Sequence, residues 1–245
     1  MQEITLSIIS HSDGAFISKM LENSSRSGLK SFSEIIIREN AKHYCDLLNK
    51  CEQKYKNVRL IYNNQQFGFG KNHNLNFAEK NKNSKYFVVC NPDIYCLPNI
   101  HNELDNLLYP EYFIGSASID DIDGSKADFM RTEIHWAIIF LRFFVSKNFG
   151  TTSDHKKLKW VPSVFTVFSS SLFQEINGYD ENIFMYYEDY DICRRSEKFT
   201  RIKIFDVRVK HIGQRSSRKK IKSLWLHIKS ICYVLNKKRI GEYNV

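Results

Sequence analysis

Tyr86-Phe-Val-Val-Cys-Asn-Pro-Asp93 is an apolar run that ends on a carboxylate. Five apolar residues in succession, aromatic and β-branched among them, suit a strand buried on both faces. Asn91-Pro92 stops the run, and Asp93 falls just beyond the strand's carboxyl end. Upstream, Ile4-Thr-Leu-Ser-Ile-Ile-Ser10 reads as a buried first strand, Ser33 to Arg38 as a second that ends at Glu39-Asn40, and Val58 to Tyr62 as a third. Helical stretches fall between them at about 16–23, 42–54 and 71–79. Strands alternating with helices predict an α/β fold with a parallel sheet and right-handed crossovers. In such sheets ligands sit beyond the carboxyl ends of the strands. That is where Glu39, the loop from Asn63 to Gly70, and Asp93 are expected to converge. Downstream, Tyr112 to Ile119, Val161 to Ser169 and Arg201 to Val209 read as further strands, and Ser171 to Ile176 as a short helix stopped by Asn177-Gly178. There is no internal repeat and no Pro/Gly-rich linker.

A second stretch carries the chemistry: Phe184-Met-Tyr-Tyr-Glu-Asp-Tyr-Asp-Ile-Cys-Arg-Arg195. Glu188, Asp189 and Asp191 sit among aromatic and apolar residues. Charges beside so much apolar surface are costly unless a partner, a metal or a reaction uses them. A strand delivering Asp93 and a later acidic cluster together suggest a metal and a general base meeting in one cleft. Plainer readings stand beside these. Asp93 after Pro92 suits a turn or a helix cap. The acidic cluster suits a first helical turn facing the macrodipole, with Asp191 paired to Arg194 or Arg195. Gly68 and Gly70 suit turns as well as a phosphate nest.

The net charge of +9 is concentrated at one end. Residues 1–206 carry 25 Lys+Arg against 26 Asp+Glu, and residues 207–245 carry 11 against one, Glu242. A neutral body with a basic tail argues against duplex binding and for one local anionic partner such as lipid headgroups. From Lys219 to Leu235 the apolar residues Ile221, Leu224, Trp225, Ile228, Ile231, Cys232 and Leu235 follow helical spacing, with Lys220, Lys222 and Lys229 off that face. A basic helix containing Trp suits a membrane surface, or its apolar face packs on the body or a second subunit. No aromatic residues interleave the cluster Arg215–Lys222, so no nucleic-acid partner is expected. The apolar run Trp136 to Val145 is too short to span a bilayer. The six cysteines show no zinc spacing, and the chain opens on a strand without a basic-then-apolar leader; both favour a cytoplasmic protein with reduced thiols.

Taken together these segments resemble glycosyltransferase family 2, the inverting enzymes of the GT-A fold, and within it a bacterial rhamnosyltransferase-like branch. The resemblance runs from Ile4 to about Ser217. Glu39-Asn40 falls where the family usually has Asp-Asn, and Gln66-Phe-Gly-Phe-Gly-Lys-Asn-His-Asn74 looks like its Asn-Leu-Gly-Phe loop with a later Asn. Asn91-Pro-Asp93 looks like the branch's version of the metal-binding Asp-x-Asp, and Asn177-Gly-Tyr-Asp to Arg194 like the acceptor segment with the catalytic Glu-Asp. The departures are Gln66 for Asn, Glu39 for Asp, a single carboxylate in the metal motif, and Val161-Pro-Ser-Val in place of a small Gly-Ala pair.

The resemblance implies a GT-A domain over 1–213, with a nucleotide-sugar half (1–98), an acceptor half (99–213) and a basic amphipathic extension (214–245). The central sheet would be Rossmann-like, mostly parallel and flanked by helices. Asp189 becomes the expected base and Glu188 its orienting or acceptor-binding neighbour. Ser10, His11, Glu39, Asn40, Gly68, Phe69, Gly70, Asn74, Asn91 and Asp93 become the expected nucleotide-sugar residues. Asp93 and His211 become the expected ligands of a divalent Mg or Mn. The implied activity is metal-assisted, inverting transfer of a sugar such as rhamnose from a nucleotide-diphosphate donor to a lipid-linked saccharide acceptor in surface polysaccharide synthesis. The enzyme would be peripheral on the inner face of the plasma membrane, with its C-terminal helix on an anionic membrane surface. Two rivals are weighed against this. A nucleotidyltransferase would need a Gly-rich basic loop where His11-Ser-Asp-Gly14 stands, and a non-catalytic membrane scaffold would not need Asp93 and Asp189.

Overall fold

The computed structural model describes residues 3–41, 44–107, 110–123, 125, 129–145, 149–213 and 221–243. Strand β1 (Ile4–Ser10) turns Ile4, Leu6 and Ile8 into one apolar core. Its alternate residues Thr5 and Ser7 meet Ser84 and His73 on the opposite face. This period of two sets the two sides of the molecule. Helices α1 (Gly14–Asn23), α2 (Arg26–Lys30) and α3 (Asp46–Lys54) follow, with β2 (Glu34–Glu39) and β3 (Val58–Tyr62). Helix α4 (Phe69–Glu79) then leads into β4 (Tyr86–Cys90). These four strands are mutually parallel, in the spatial order β3-β2-β1-β4.

The second half holds α5 (His101–Asp105), β5 (Ile114–Asp121), α6 (Trp136–Phe144), a 3-10 turn at His155–Lys157, β6 (Phe165–Ser169) and α7 (Ser170–Glu175). Helix α8 (Glu188–Ser196), β7 (Lys203–His211) and α9 (Ile221–Arg239) complete it. It extends the sheet as β6-β5-β7. β6 runs antiparallel to β4 and β5, and β7 lies parallel to β5. The carboxyl ends of β1, β2, β4, β5 and β7 therefore share one edge of the sheet, and the amino end of β6 joins them there. Ile17, Met20, Leu21, Leu48 and Leu104 cover one face, and Phe77, Leu172, Phe173, Ile192 and Cys193 cover the other.

α9 is split along its length. Ile231 and Val234 are buried with Ile134, Ile183, Tyr190 and Tyr243, which docks this half on the body. Leu224, Trp225 and Ile228 in the first half are exposed. The single apolar face read from the sequence is thus two surfaces. The cluster Arg215–Lys220 and the side chains of Ile221 and Lys222 lie outside the described residues. All six cysteines are free thiols. Among the described residues no helix is long and apolar enough to cross a membrane.

Candidate active site

The shared edge is built first by the ends of β1 and β2, where Ser10 and Glu39 are register partners. Ser10 Oγ donates to Glu39 Oε2 at 2.6 Å, and the N–H groups of Ser12 and Ala41 donate to Oε1 at 3.2 and 2.8 Å. Glu39, 1% exposed, thereby ties the loops after β1 and β2 together. Asn40 holds the glycine loop. Its Oδ1 accepts from Phe67 N and Asn63 Nδ2, both at 2.9 Å, and its Nδ2 donates to Phe67 O at 3.0 Å. His11 is exposed, and its N–H donates to Asp13 Oδ2 at 2.8 Å. Burial lifts the Asp13 carboxyl above its ordinary range, and the negative charges of Asp93 and Glu39 push the same way.

Asp93 and His211 are 118 residues apart, yet His211 Nε2 lies 3.0 Å from Asp93 Oδ1. Backbone pairing enforces this. Tyr95 N–H donates to Lys210 O at 2.8 Å, Ile212 N–H donates to Asp93 O at 2.9 Å, and Ile94 bridges His211. Both side chains keep some exposure, 12% for Asp93 and 22% for His211, so a ligand can reach them. A carboxylate oxygen with space for added oxygens suits a hard divalent ion, and the imidazole adds a nitrogen donor. Among the described residues no group of three or more His, Cys, Asp and Glu could hold a metal. These two residues thus fit an ion that draws its remaining ligands from a bound diphosphate.

A further wall of this edge belongs to α8, whose Cys193 Sγ lies 3.9 Å from Val161 O just before β6. Cys90 pairs with Phe165 across β4 and β6, and Asn91 N–H donates to Val164 O at 2.9 Å. Asp93 is two residues beyond that bond on one side. On the other, the Ser163 backbone lies near enough to the Asp189 carboxylate to draw its pKa down. Both aspartates are therefore held at the same end of the β4–β6 pair. Glu188 is buried, and its Oε2 has no hydrogen-bond partner. Burial raises the Glu188 carboxyl well above its ordinary value, and the Asp189 charge adds to that. Burial also raises Asp189, opposed by the backbone of Tyr190 and Ser163 and by the Arg131 guanidinium. Two adjacent carboxyls held part-way to neutral are what a proton-transfer site requires.

Asp191 faces away from this wall. Fully buried, it accepts from Arg195 Nε at 2.8 Å and from Lys237 Nζ and Tyr243 Oη, each at 2.7 Å. Of the two arginines expected as its partner, Arg195 takes the role; Arg194 pairs with Glu133 and Glu197.

The glycine loop meets the segment from Tyr179 to Phe184 directly. A β-carbon on Gly68 would sit 2.6 Å from Phe184 O, and one on Gly70 2.5 Å from Tyr179 Cβ. Phe69 N–H donates to Phe184 O at 2.9 Å, and the Phe69 ring packs on His73 and Tyr179. Asn74 Oδ1 accepts from Tyr179 N at 2.9 Å, while its Nδ2 donates to Tyr179 O at 2.9 Å and Glu181 Oε1 at 3.2 Å. Gly68, Phe69, Gly70 and Asn74 thus brace residues 179–184. Asp13, Arg131 and Ser163 were not singled out in the sequence. No motif marks them, because their part depends on loop geometry and on backbone placement. Separately, a cavity of about 770 Å³ lies beside β5 and β7, lined by Ser118, Asp120, Thr152, Asp154, Lys157 and Arg208 among others.

The fold is shared with solved glycosyltransferases. Superposition on S. aureus TarS (residues 1–349) gives a TM-score of 0.61 at 10% identity over 86% of this chain and 60% of that one. The chain has the GT-A glycosyltransferase fold. GalNAc-T7, solved with UDP, GalNAc and Mn²⁺, gives 0.63 at 13% identity over 86% of this chain and 43% of that one. The mannosyltransferase PcManGT of Pyrobaculum calidifontis, solved with GDP-Man and Mn²⁺, gives 0.57 at 11% identity over 88% and 59%. This GT-A chain therefore spans between about two fifths and three fifths of those neighbours' chains. By sequence it is 28% identical over 209 residues to the rhamnosyltransferase WbbL of Escherichia coli (strain K12), covering 77% of this chain and 74% of that protein. No family model matches. The resemblance to glycosyltransferase family 2 read from the sequence is supported by these likenesses.

Proposed function

We propose that this chain transfers a sugar, with inversion, from a nucleotide-diphosphate donor to a lipid-linked saccharide in the synthesis of a bacterial surface polysaccharide. The observation that carries the reading is the Glu188-Asp189 pair, Glu188 buried and Asp189 half-buried, at the same end of the β4–β6 pair as Asp93 and His211. Asp189, with its pKa lifted by burial, takes the proton of the acceptor hydroxyl as the new glycosidic bond forms. Glu188 keeps Asp189 oriented and presents its unpartnered Oε2 to the acceptor. Attack from the Asp189 side, opposite the departing diphosphate, inverts the anomeric carbon. A divalent ion at Asp93 and His211, when bound, supplies Lewis-acid stabilisation of the leaving diphosphate. Asn91 and the loops tied by Ser10, His11, Glu39 and Asn40 flank the donor.

The relative WbbL is named a rhamnosyltransferase, and this favours a rhamnosyl donor such as dTDP-rhamnose. A lipid-linked acceptor is favoured by the exposed Leu224, Trp225 and Ile228 of α9, with the Lys229 ammonium 5.5 Å from the Trp225 ring centroid. This composition suits the headgroup region of an anionic bilayer on the cytoplasmic side. The test is Asp189→Asn. With dTDP-rhamnose and Mn²⁺, turnover falls by about 10²-fold or more at unchanged melting temperature. Near wild-type turnover removes Asp189 as the base.

A further inference from the structure

The turn that delivers the carboxylates is strained and is held from outside. Tyr186 and Tyr187 have φ of 71° and 65°, two successive left-handed conformations at residues that carry β-carbons. Tyr187 is the N-cap of α8, and its carbonyl accepts the Asp191 N–H at 3.0 Å. The direction in which Glu188 and Asp189 leave the helix start follows from these two residues. On the body side the glycine loop grips the segment through Phe69 N–H and Phe184 O, and Tyr187 packs against the cluster of Ile134, Ile183 and Tyr190.

Further grips come from α9. The His227 ring stacks on Tyr186 with centroids 3.4 Å apart and planes 11° from parallel, and it meets the Tyr187 ring edge-on at 6.1 Å. Tyr186 Oη and Ser223 Oγ are 2.7 Å apart. Ser230 Oγ donates to Met185 O at 2.7 Å. Ser223, His227 and Ser230 are spaced four and three residues apart, so they form one inward stripe of the helix. Three consecutive residues before the carboxylates are thus each touched by that stripe.

We propose that α9 is a positioning element of the active site, in which His227, with Ser223 and Ser230, holds the left-handed Tyr186-Tyr187 turn and so aims Glu188 and Asp189. None of the three touches the reacting atoms. They act through the turn, and the role rests on the proposed function of Asp189 only for its effect on turnover. Releasing the stack lets the turn relax from its left-handed conformation, and water reaches carboxyls that burial now keeps part-neutral.

The test reads the carboxyls directly. Infrared titration of the intact protein follows the protonated-carboxyl stretch, assigned by its loss in Asp189→Asn and Glu188→Gln. In His227→Ala the midpoint moves down by about one pH unit as the pair is hydrated, and His227→Phe, which keeps the stack, restores it. Turnover of dTDP-rhamnose falls by on the order of tenfold to a hundredfold in His227→Ala with donor KM little changed. Ser223→Ala, at a half-buried position, gives a smaller shift in the same direction and serves if His227→Ala does not fold. An unchanged midpoint in the folded variants overturns the inference. So does a shift that His227→Phe fails to reverse at wild-type melting temperature. An active Asp189→Asn ends the functional reading instead and leaves the infrared result standing.

Discussion

Lys237 Nζ lies 2.7 Å from Oδ1 of Asp191, a side chain with no exposure to solvent. The same ammonium is 2.9 Å from Asp180 and 3.2 Å from Glu242. One lysine near the end of α9 therefore joins the segment before α8, α8 itself and the turn after α9. Removing one partner of a buried ion pair leaves the other charge uncompensated, which costs about 3–5 kcal/mol. Lys237→Met should lower the melting temperature by roughly 10 °C. A melt within about 2 °C of wild type would show that Arg195 and Tyr243 alone satisfy Asp191.

The same contact sets an acid dependence. Burial would raise the Asp180 carboxyl, but the Lys237 ammonium and the Asn182 N–H hold it down at about 2. A depressed folded-state pKa contributes stability that is present above the unfolded value of 3.8 and lost as pH falls toward 2. Urea midpoints should therefore decline across that window in the wild type and decline less in Lys237→Met. Parallel declines in the two proteins would assign the acid loss to other carboxylates.

β1, β3 and β4 were legible to the residue because each is a short strand-forming run bounded by polar loops; β1 and β4 are buried on both faces, and β3 is a half-buried edge strand. α2 and α5 escaped because five residues carry too little periodicity to register. The split of α9 was hidden for a different reason. What draws its second half inward is Lys237 meeting Asp180 and Asp191, partners 57 and 46 residues away. Composition reads that lysine as one more basic residue of a tail. The place of Glu39 and Asn40 beyond a strand's carboxyl end was legible, but the backbone N–H groups and loop carbonyls they engage were not, since every residue offers the same ones.

Gly68 is a case in which a turn glycine is also a contact. Its α-carbon sits so close to Phe184 that an added methyl would lie 2.6 Å from the carbonyl oxygen and 2.8 Å from Cα. Both are backbone atoms, so relief requires the segment before the Tyr186-Tyr187 turn to move. Gly68→Ala should destabilise by about 1–3 kcal/mol and lower turnover more than melting temperature alone explains. Unchanged kinetics would mean that the carboxylates do not depend on where Phe184 sits.

His211 and Asp93 make a separable prediction about the metal. With two protein ligands, tight binding needs the diphosphate, so Mn²⁺ and dTDP should bind cooperatively and EDTA should lower dTDP affinity. Asp93→Asn should abolish the Mn²⁺ effect. His211→Ala should weaken it by about 10–100-fold. Calorimetry of dTDP with and without Mn²⁺ reads both. Nucleotide binding that is indifferent to Mn²⁺ in the wild type would remove these two residues from the metal's coordination.

The outer face of α9 is the last surface to account for. Trp225 is 60% exposed and Ile228 52%, one turn apart on a helix whose opposite side contacts the Tyr186-Tyr187 turn. Burying the two in the headgroup region removes their apolar surface from water, and the lysines beside them add attraction to anionic lipid. Binding to vesicles containing phosphatidylglycerol should therefore exceed binding to neutral vesicles and fall as salt shortens the Debye length. Trp225→Glu with Ile228→Glu should cut partitioning by on the order of tenfold or more, since each change removes apolar area and adds a like charge. The inward stripe is untouched by these changes, so the melting temperature should hold. Vesicle binding that survives the double substitution would move the membrane contact off α9 and onto another surface, of which the exposed Trp136 and Phe140 of α6 are the next to test.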